Sequence, residues 1–122
     1  MPSNTNVVII DDENDILMML EKYLKRSGYS VRTFNNPTVA LKSIDPETNI
    51  VLLDVMMPQM NGLDLLPKLK EKLPSCKVLI MTAYSTLDKV LNAHRHGADD
   101  YVMKPFSSLD TLGKKIEETL AK

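Results

Sequence analysis

Short apolar runs, each closed by a residue able to do chemistry, restrict this chain to few folds. Val7-Val8-Ile9-Ile10 runs into Asp11-Asp12, Ile50-Val51-Leu52-Leu53 into Asp54, Val78-Leu79-Ile80-Met81 into Thr82, and Tyr101-Val102-Met103 into Lys104-Pro105. Unbroken apolar runs of this length, bounded by breakers, read as parallel strands buried on both faces. Open α/β sheets build their sites just outside the carboxyl ends of such strands. The pattern therefore brings carboxylates, a hydroxyl and an ammonium to one edge of one sheet.

The stretches between these runs are amphipathic. Ile16, Leu17, Leu20 and Leu24 share a helix face that Gly28 terminates. β-Branched and aromatic residues from Ser30 to Phe34 predict another strand. Asn35-Asn36-Pro37 supplies an N-cap and a first-turn proline for a short helix to about Ser43. Leu66, Leu69 and Leu73 mark a third helix, stopped by Pro74. Ser85, with Asp88 three residues on, opens a fourth helix that ends at Gly97. Asp99 or Asp100 opens the fifth strand, and Ser108 caps a fifth helix with Leu109, Leu112, Ile116 and Leu120 inward. This alternation predicts an α/β fold, a (βα)5 three-layer sandwich with right-handed crossovers. Its five-stranded parallel sheet is expected in the flavodoxin-like order 2-1-3-4-5, which sets the first and third strands side by side. Asp11, Asp12 and Asp54 then become neighbours. Residues 1–122 are expected to form a single domain, since no linker, repeat or low-complexity segment divides them.

Composition narrows the function. A hydrophobic fraction of 43% supplies a core without disulfides or a structural metal. A formal net charge of −1 argues against direct nucleic-acid binding, which wants a basic face. The single cysteine, Cys76, suits a reducing compartment and reads as an inert, semi-buried thiol. Residues 1–6 lack the regions of a signal peptide, and no apolar run approaches the roughly 18 residues of a membrane span. A cytoplasmic location is expected.

Asp11, Asp12 and Asp54 crowded together would repel one another, and a hard divalent cation relieves that. Magnesium fits, because it takes few protein oxygens and leaves room for a phosphate oxygen. Asp54 can act as a nucleophile on phosphorus. Lys104 and the metal would neutralise a transferring phosphoryl group, and Thr82 would donate its hydroxyl. Pro105 restricts the backbone of Lys104. Taken singly, these residues have blander readings. An acidic pair after a strand often only favours a helix dipole, Tyr101 could be a plain strand aromatic, and Thr82 could end a strand.

Taken together, Asp11-Asp12, Asp54 with Met57-Pro58 and Gly62, Met81-Thr82-Ala83, and Gly97-Ala98 through Lys104-Pro105-Phe106 make the chain similar to a response-regulator receiver domain of two-component signalling. The resemblance spans essentially the whole chain. It implies phosphorylation of Asp54 by a sensor histidine kinase or phosphotransfer protein. Magnesium would be held by Asp12, Asp54 and the Met56 carbonyl, with Asp11 acting through water. It further implies that Lys104 pairs with the phosphoryl group and that Thr82 and Tyr101 form a switch. Output to an unknown protein or domain would pass through the face of the fourth helix, fifth strand and fifth helix, where a homodimer could also form. Such a module catalyses its own phosphorylation and dephosphorylation and is not a conventional enzyme. Met56 and Tyr84 offer no acid or amide to orient an attacking water, so a long-lived phospho-Asp54 is expected.

Other functions fit less well. A magnesium-dependent aspartyl-phosphate phosphatase of the haloacid-dehalogenase type wants a second Asp where Met56 stands, and its nucleophile follows the first strand. A flavodoxin-like phosphate loop is opposed by Asp11-Asp12-Glu13. A non-phosphorylated docking module would not need the complete acceptor set. His94 and His96 are two apart and so do not share a helix face; they read as residues near a helix C-terminus. Met56, Met57 and Met60 beside Asp54 could form a docking surface or pack locally.

Overall fold

The computed structural model describes residues 5–55, 57, 61–82, 97–104 and 108–122. In chain order the elements are β1 (Asn6–Ile10), α1 (Asn14–Arg26), β2 (Ser30–Phe34), α2 (Pro37–Ser43), β3 (Ile50–Asp54), α3 (Gly62–Lys72), β4 (Lys77–Thr82), β5 (Asp100–Met103) and a C-terminal helix, α4 (Leu109–Leu120). The helix predicted from Ser85 to Gly97 lies, up to residue 96, outside the described residues, as do His94 and His96.

The strands form one parallel five-stranded sheet in the order β2-β1-β3-β4-β5. This is the order expected from the sequence. Alternation along each strand divides the core. Val8, Ile10, Val51, Leu53, Val78 and Ile80 meet Ala40 of α2 and Leu65, Leu66 and Leu69 of α3 on one face. Val7, Ile9, Ile50, Leu52, Leu79 and Met81 meet Leu17, Leu20 and Leu24 of α1 and Leu112 and Ile116 of α4 on the other. Ile9 pairs with Leu52, and Leu52 with Leu79. The central strands are thus apolar on both sides because both sides are covered.

Local signals set the helix ends. The Asn36 side chain accepts from the N–H groups of Thr38 at 2.9 Å and Val39 at 3.2 Å, and Pro37 occupies the first turn, where its missing N–H costs nothing. At the end of α1, Gly28 takes φ 101°, a conformation that only glycine adopts cheaply. That lets the Tyr29 N–H reach back to the Leu24 carbonyl. The Ser108 hydroxyl accepts from the Thr111 N–H at 3.0 Å to cap α4.

Two expectations need correction. The run Tyr101-Val102-Met103 does not become a strand buried on both faces. β5 is the sheet's edge, and Tyr101 and Met103 are exposed while Val102 packs on the core. Tyr101 and Met103 project from the sheet face opposite to that of Val102, and there they keep contact with solvent. Cys76 is buried outright, not semi-buried, because it lies among Leu73, Val78 and Ala98. Burial pushes its thiol pKa up to about 11, against the opposing charge of Lys70.

Candidate functional site

Strand parity explains how the site forms. Asp11 continues the row Val7, Ile9, and Asp54 continues Ile50, Leu52, both toward the face covered by α1 and α4. Ile10 pairs with Leu53, so Asp11 and Asp54 leave adjacent strands at the same level. Lys104 follows Val102 in the same parity just beyond β5, and its N–H donates to the Thr82 carbonyl at 2.7 Å. Side chains 93 residues apart therefore meet: the Lys104 ammonium donates to Asp11 Oδ2 at 2.6 Å.

Lys104 Nζ also stands 3.5 Å from Asp54 Oδ1 and 3.5 Å from Glu13 Oε1. One carboxylate oxygen from each of Asp11, Asp12 and Asp54 lies within 4.8 Å of the others. Asp11 and Asp54 are buried and Asp12 is half-exposed, so the cluster opens to solvent past Asp12. Burial disfavours the Lys104 ammonium, but the hydrogen bond and charge of Asp11, then the charges of Asp54 and Glu13, outweigh it. Its pKa is held above the ordinary lysine value, and the group is a fixed cation at neutral pH.

The donor set is all oxygen, clustered, and rich in negative charge. It fits a hard divalent ion such as magnesium. Asp11 already uses both oxygens, since Oδ1 accepts the Glu13 N–H at 2.9 Å and Oδ2 accepts from Lys104.

The backbone around Asp54 is held tightly. Val55 N–H donates to the Met81 carbonyl and Gly62 N–H to the Val55 carbonyl. A Cβ on Gly62 would lie 2.3 Å from the Asp54 carbonyl oxygen, so no side chain fits there without moving the strand end. Met57 is buried in the core beside Val55 and Leu65, which makes it a packing residue and not part of an exposed docking surface.

The remaining expected residues are distributed as follows. Thr82 is buried at the end of β4, next to the strand carrying Asp54. Tyr101 stands on β5 opposite Ile80, exposed. Met56, Ala83, Tyr84 and Pro105 lie outside the described residues, as do Met60 and Phe106. Sequence reasoning missed two features. In the sequence Glu13 reads only as repelling phosphate, yet it faces Lys104. Asp99, read as a strand opener, is a latch whose Oδ2 accepts from Lys70 Nζ at 2.9 Å and the Val78 N–H at 2.8 Å. Lys70 also donates to the Cys76 carbonyl, and Gly97 takes φ 106° against the Lys70 stem. The conformational freedom of glycine just ahead of Asp99 was the available signal.

The sequence matches the family described as response regulator receiver domain over residues 7–117. It is 44% identical over 108 residues to the DNA-binding transcriptional regulator NtrC of Proteus hauseri, covering 88% of this chain and 23% of that protein. The chain thus spans less than a quarter of that relative's length. A two-component response regulator from Clostridium difficile superposes with a TM-score of 0.90 at 27% identity, covering 97% of each chain. The beryllofluoride-activated NtrC4 receiver domain dimer superposes with a TM-score of 0.87 at 29% identity, covering 95% of this chain and 96% of that one. With the family matched across almost the whole sequence and its sheet order reproduced, the chain belongs to the response regulator receiver domains of two-component signalling.

Proposed function

We propose that this receiver is a phosphorylation-activated switch whose acceptor is Asp54. One observation carries the reading: Asp11, Asp12 and Asp54 cluster within 4.8 Å, with the Lys104 ammonium 3.5 Å from Asp54. The donor is a histidine kinase or phosphotransfer protein. An Asp54 carboxylate oxygen attacks phosphorus and forms an O–P bond. The donor's bond to phosphorus breaks, and its electron pair leaves with the donor group.

Asp12, Asp54 and the Met56 backbone carbonyl would hold magnesium, with Asp11 acting through water. When bound, the ion supplies positive charge to the phosphoryl oxygens. Lys104 adds its own charge, exchanging its hydrogen bond to Asp11 for one to a phosphoryl oxygen. The Thr82 hydroxyl donates to another. Thr82 moves toward the phosphate, and Tyr101 turns inward from its exposed position on the edge strand. The surface around β5 and α4 changes shape as the population shifts between two packings. That surface meets an output protein or domain, or a second copy of the chain. The homology to an NtrC4 receiver dimer supports the last of these. Residues 1–122 act as one cytoplasmic receiver unit that binds no nucleic acid itself. Among the described residues no helix is long and apolar enough to cross a membrane.

The test is incubation with magnesium and acetyl phosphate, followed by intact mass spectrometry. One added phosphoryl group is expected, absent in Asp54→Asn and absent when the metal is chelated. Steady turnover of a phosphomonoester without a stable adduct would contradict the reading.

A further inference from the structure

Glu13 occupies the N-cap of α1, the position where a side chain ordinarily accepts a helix N–H, yet it makes no such bond. Its Oε1 instead stands 3.5 Å from Lys104 Nζ, while the rest of the side chain remains 60% exposed. Its backbone N–H meanwhile fixes Asp11 Oδ1 at 2.9 Å. The carboxylate is thus turned toward the pocket by the ammonium and not by the helix. With Glu13 counted, one ammonium stands within 3.5 Å of three carboxylates, Asp11, Asp54 and Glu13, and Asp12 adds a fourth negative charge to the cluster.

We propose that Glu13 is a positioning residue that sets the ionic preference of this pocket, strengthening divalent-cation binding and slowing phosphorylation by small anionic donors. The proposal rests on Asp54 being the acceptor. Two effects act together. Glu13 adds negative potential at the entrance, which attracts a cation and repels a phosphate dianion. It also competes with the incoming phosphoryl group for the Lys104 ammonium. Removing its charge should therefore move the two properties in opposite directions. Loss of a merely structural contact would lower both.

The experiment compares the full chain with Glu13→Gln, a change in an exposed side chain that leaves the backbone N–H to Asp11 in place. Magnesium affinity is measured by calorimetric titration, with no phosphodonor present. The rate of phosphorylation by acetyl phosphate is measured by intact mass at saturating magnesium. In low salt, affinity is expected to fall about threefold and the rate to rise about threefold, the size of effect one charge exerts across a few ångströms of wet surface. Both changes should shrink toward unity in molar salt, where the screening length falls to about 3 Å. An unaltered magnesium affinity, or a rate that falls with it, overturns the role of Glu13. A wild-type protein that acquires no phosphoryl group contradicts the acceptor reading itself.

Discussion

The Lys104 ammonium and the Asp11 carboxylate form a buried pair at 2.6 Å, with side chains 8% and 0% exposed. Asp11 is thereby committed to the lysine and to the Glu13 N–H. In the proposed function a cation is then left to Asp12 and Asp54, and Asp12 is the most open of the cluster. That division yields the first prediction. Without metal, Asp12 lies within 4.8 Å of two other carboxylate oxygens and is repelled. Asp12→Asn is expected to stabilise the protein in chelated buffer by about 1 kcal/mol, the cost of two like charges a few ångströms apart near water. The same change should remove most of the stabilisation that magnesium gives the wild type. Thermal melts with and without magnesium check both; a variant less stable in chelator would contradict the repulsion argument.

Alkaline pH should weaken the fold for two reasons. The Lys104 pKa is raised, so its stabilisation is complete below the unfolded lysine's pKa and is lost as pH climbs through the higher folded value. The Cys76 pKa is raised from 9.0 to about 11, chiefly by burial. Above pH 9 the unfolded thiol ionises while the folded one stays neutral, which favours unfolding. The denaturant midpoint is expected to fall progressively from about pH 9 upward, and Cys76→Ala should flatten the earlier part of that fall. A midpoint unchanged up to pH 11 would refute the linkage.

Gly62 is required by space and not by backbone dihedral. Its missing Cβ would sit 2.3 Å from the Asp54 carbonyl oxygen and 2.8 Å from the Val55 Cα. Both are backbone atoms, so the strand end must shift. Gly62→Ala is expected to cost about 1–3 kcal/mol, as overpacking does. Slower phosphorylation should accompany it, because the displaced backbone carries Asp54, the proposed acceptor. Urea unfolding and phosphorylation kinetics check the two halves; full stability would show that the loop yields freely.

Much of this architecture is legible in the chain. Val7–Ile10, Ile50–Leu53 and Val78–Met81 are apolar on both faces because helices cover both, and a run of that kind has few other homes. The carboxylates then follow from where those runs stop. On the edge strand the rule fails, as at Tyr101 and Met103, since edge position depends on the whole sheet. Asp99 and Glu13 escaped notice for a related reason. Their partners, Lys70 and Lys104, lie 29 and 91 positions along the chain, and nothing local announces an ion pair. Asp100, held by Lys115 at 3.2 Å and Lys122 at 3.0 Å, ties β5 to the C-terminal residues in the same unannounced way.

If Asp54 is phosphorylated as proposed, the side-chain chemistry at two positions sets how long the phosphate is expected to last. Met56 and Tyr84 carry neither acid nor amide, so neither orients a water for attack on the aspartyl phosphate. The adduct is expected to persist for minutes or longer in magnesium buffer. Met56→Asn should shorten that lifetime several-fold. Loss of the adduct within seconds, with no phosphatase added, would contradict this.

The most direct measurement locates the modified residue chemically. The protein is treated with magnesium and acetyl phosphate, the acyl phosphate is reduced with borohydride, and the peptides are sequenced by tandem mass spectrometry. The account predicts homoserine at position 54 in place of Asp54 and at no other carboxylate, with none formed in Lys104→Ala at matched times. Reduction at Asp11 or Asp12, or at no residue, would contradict it.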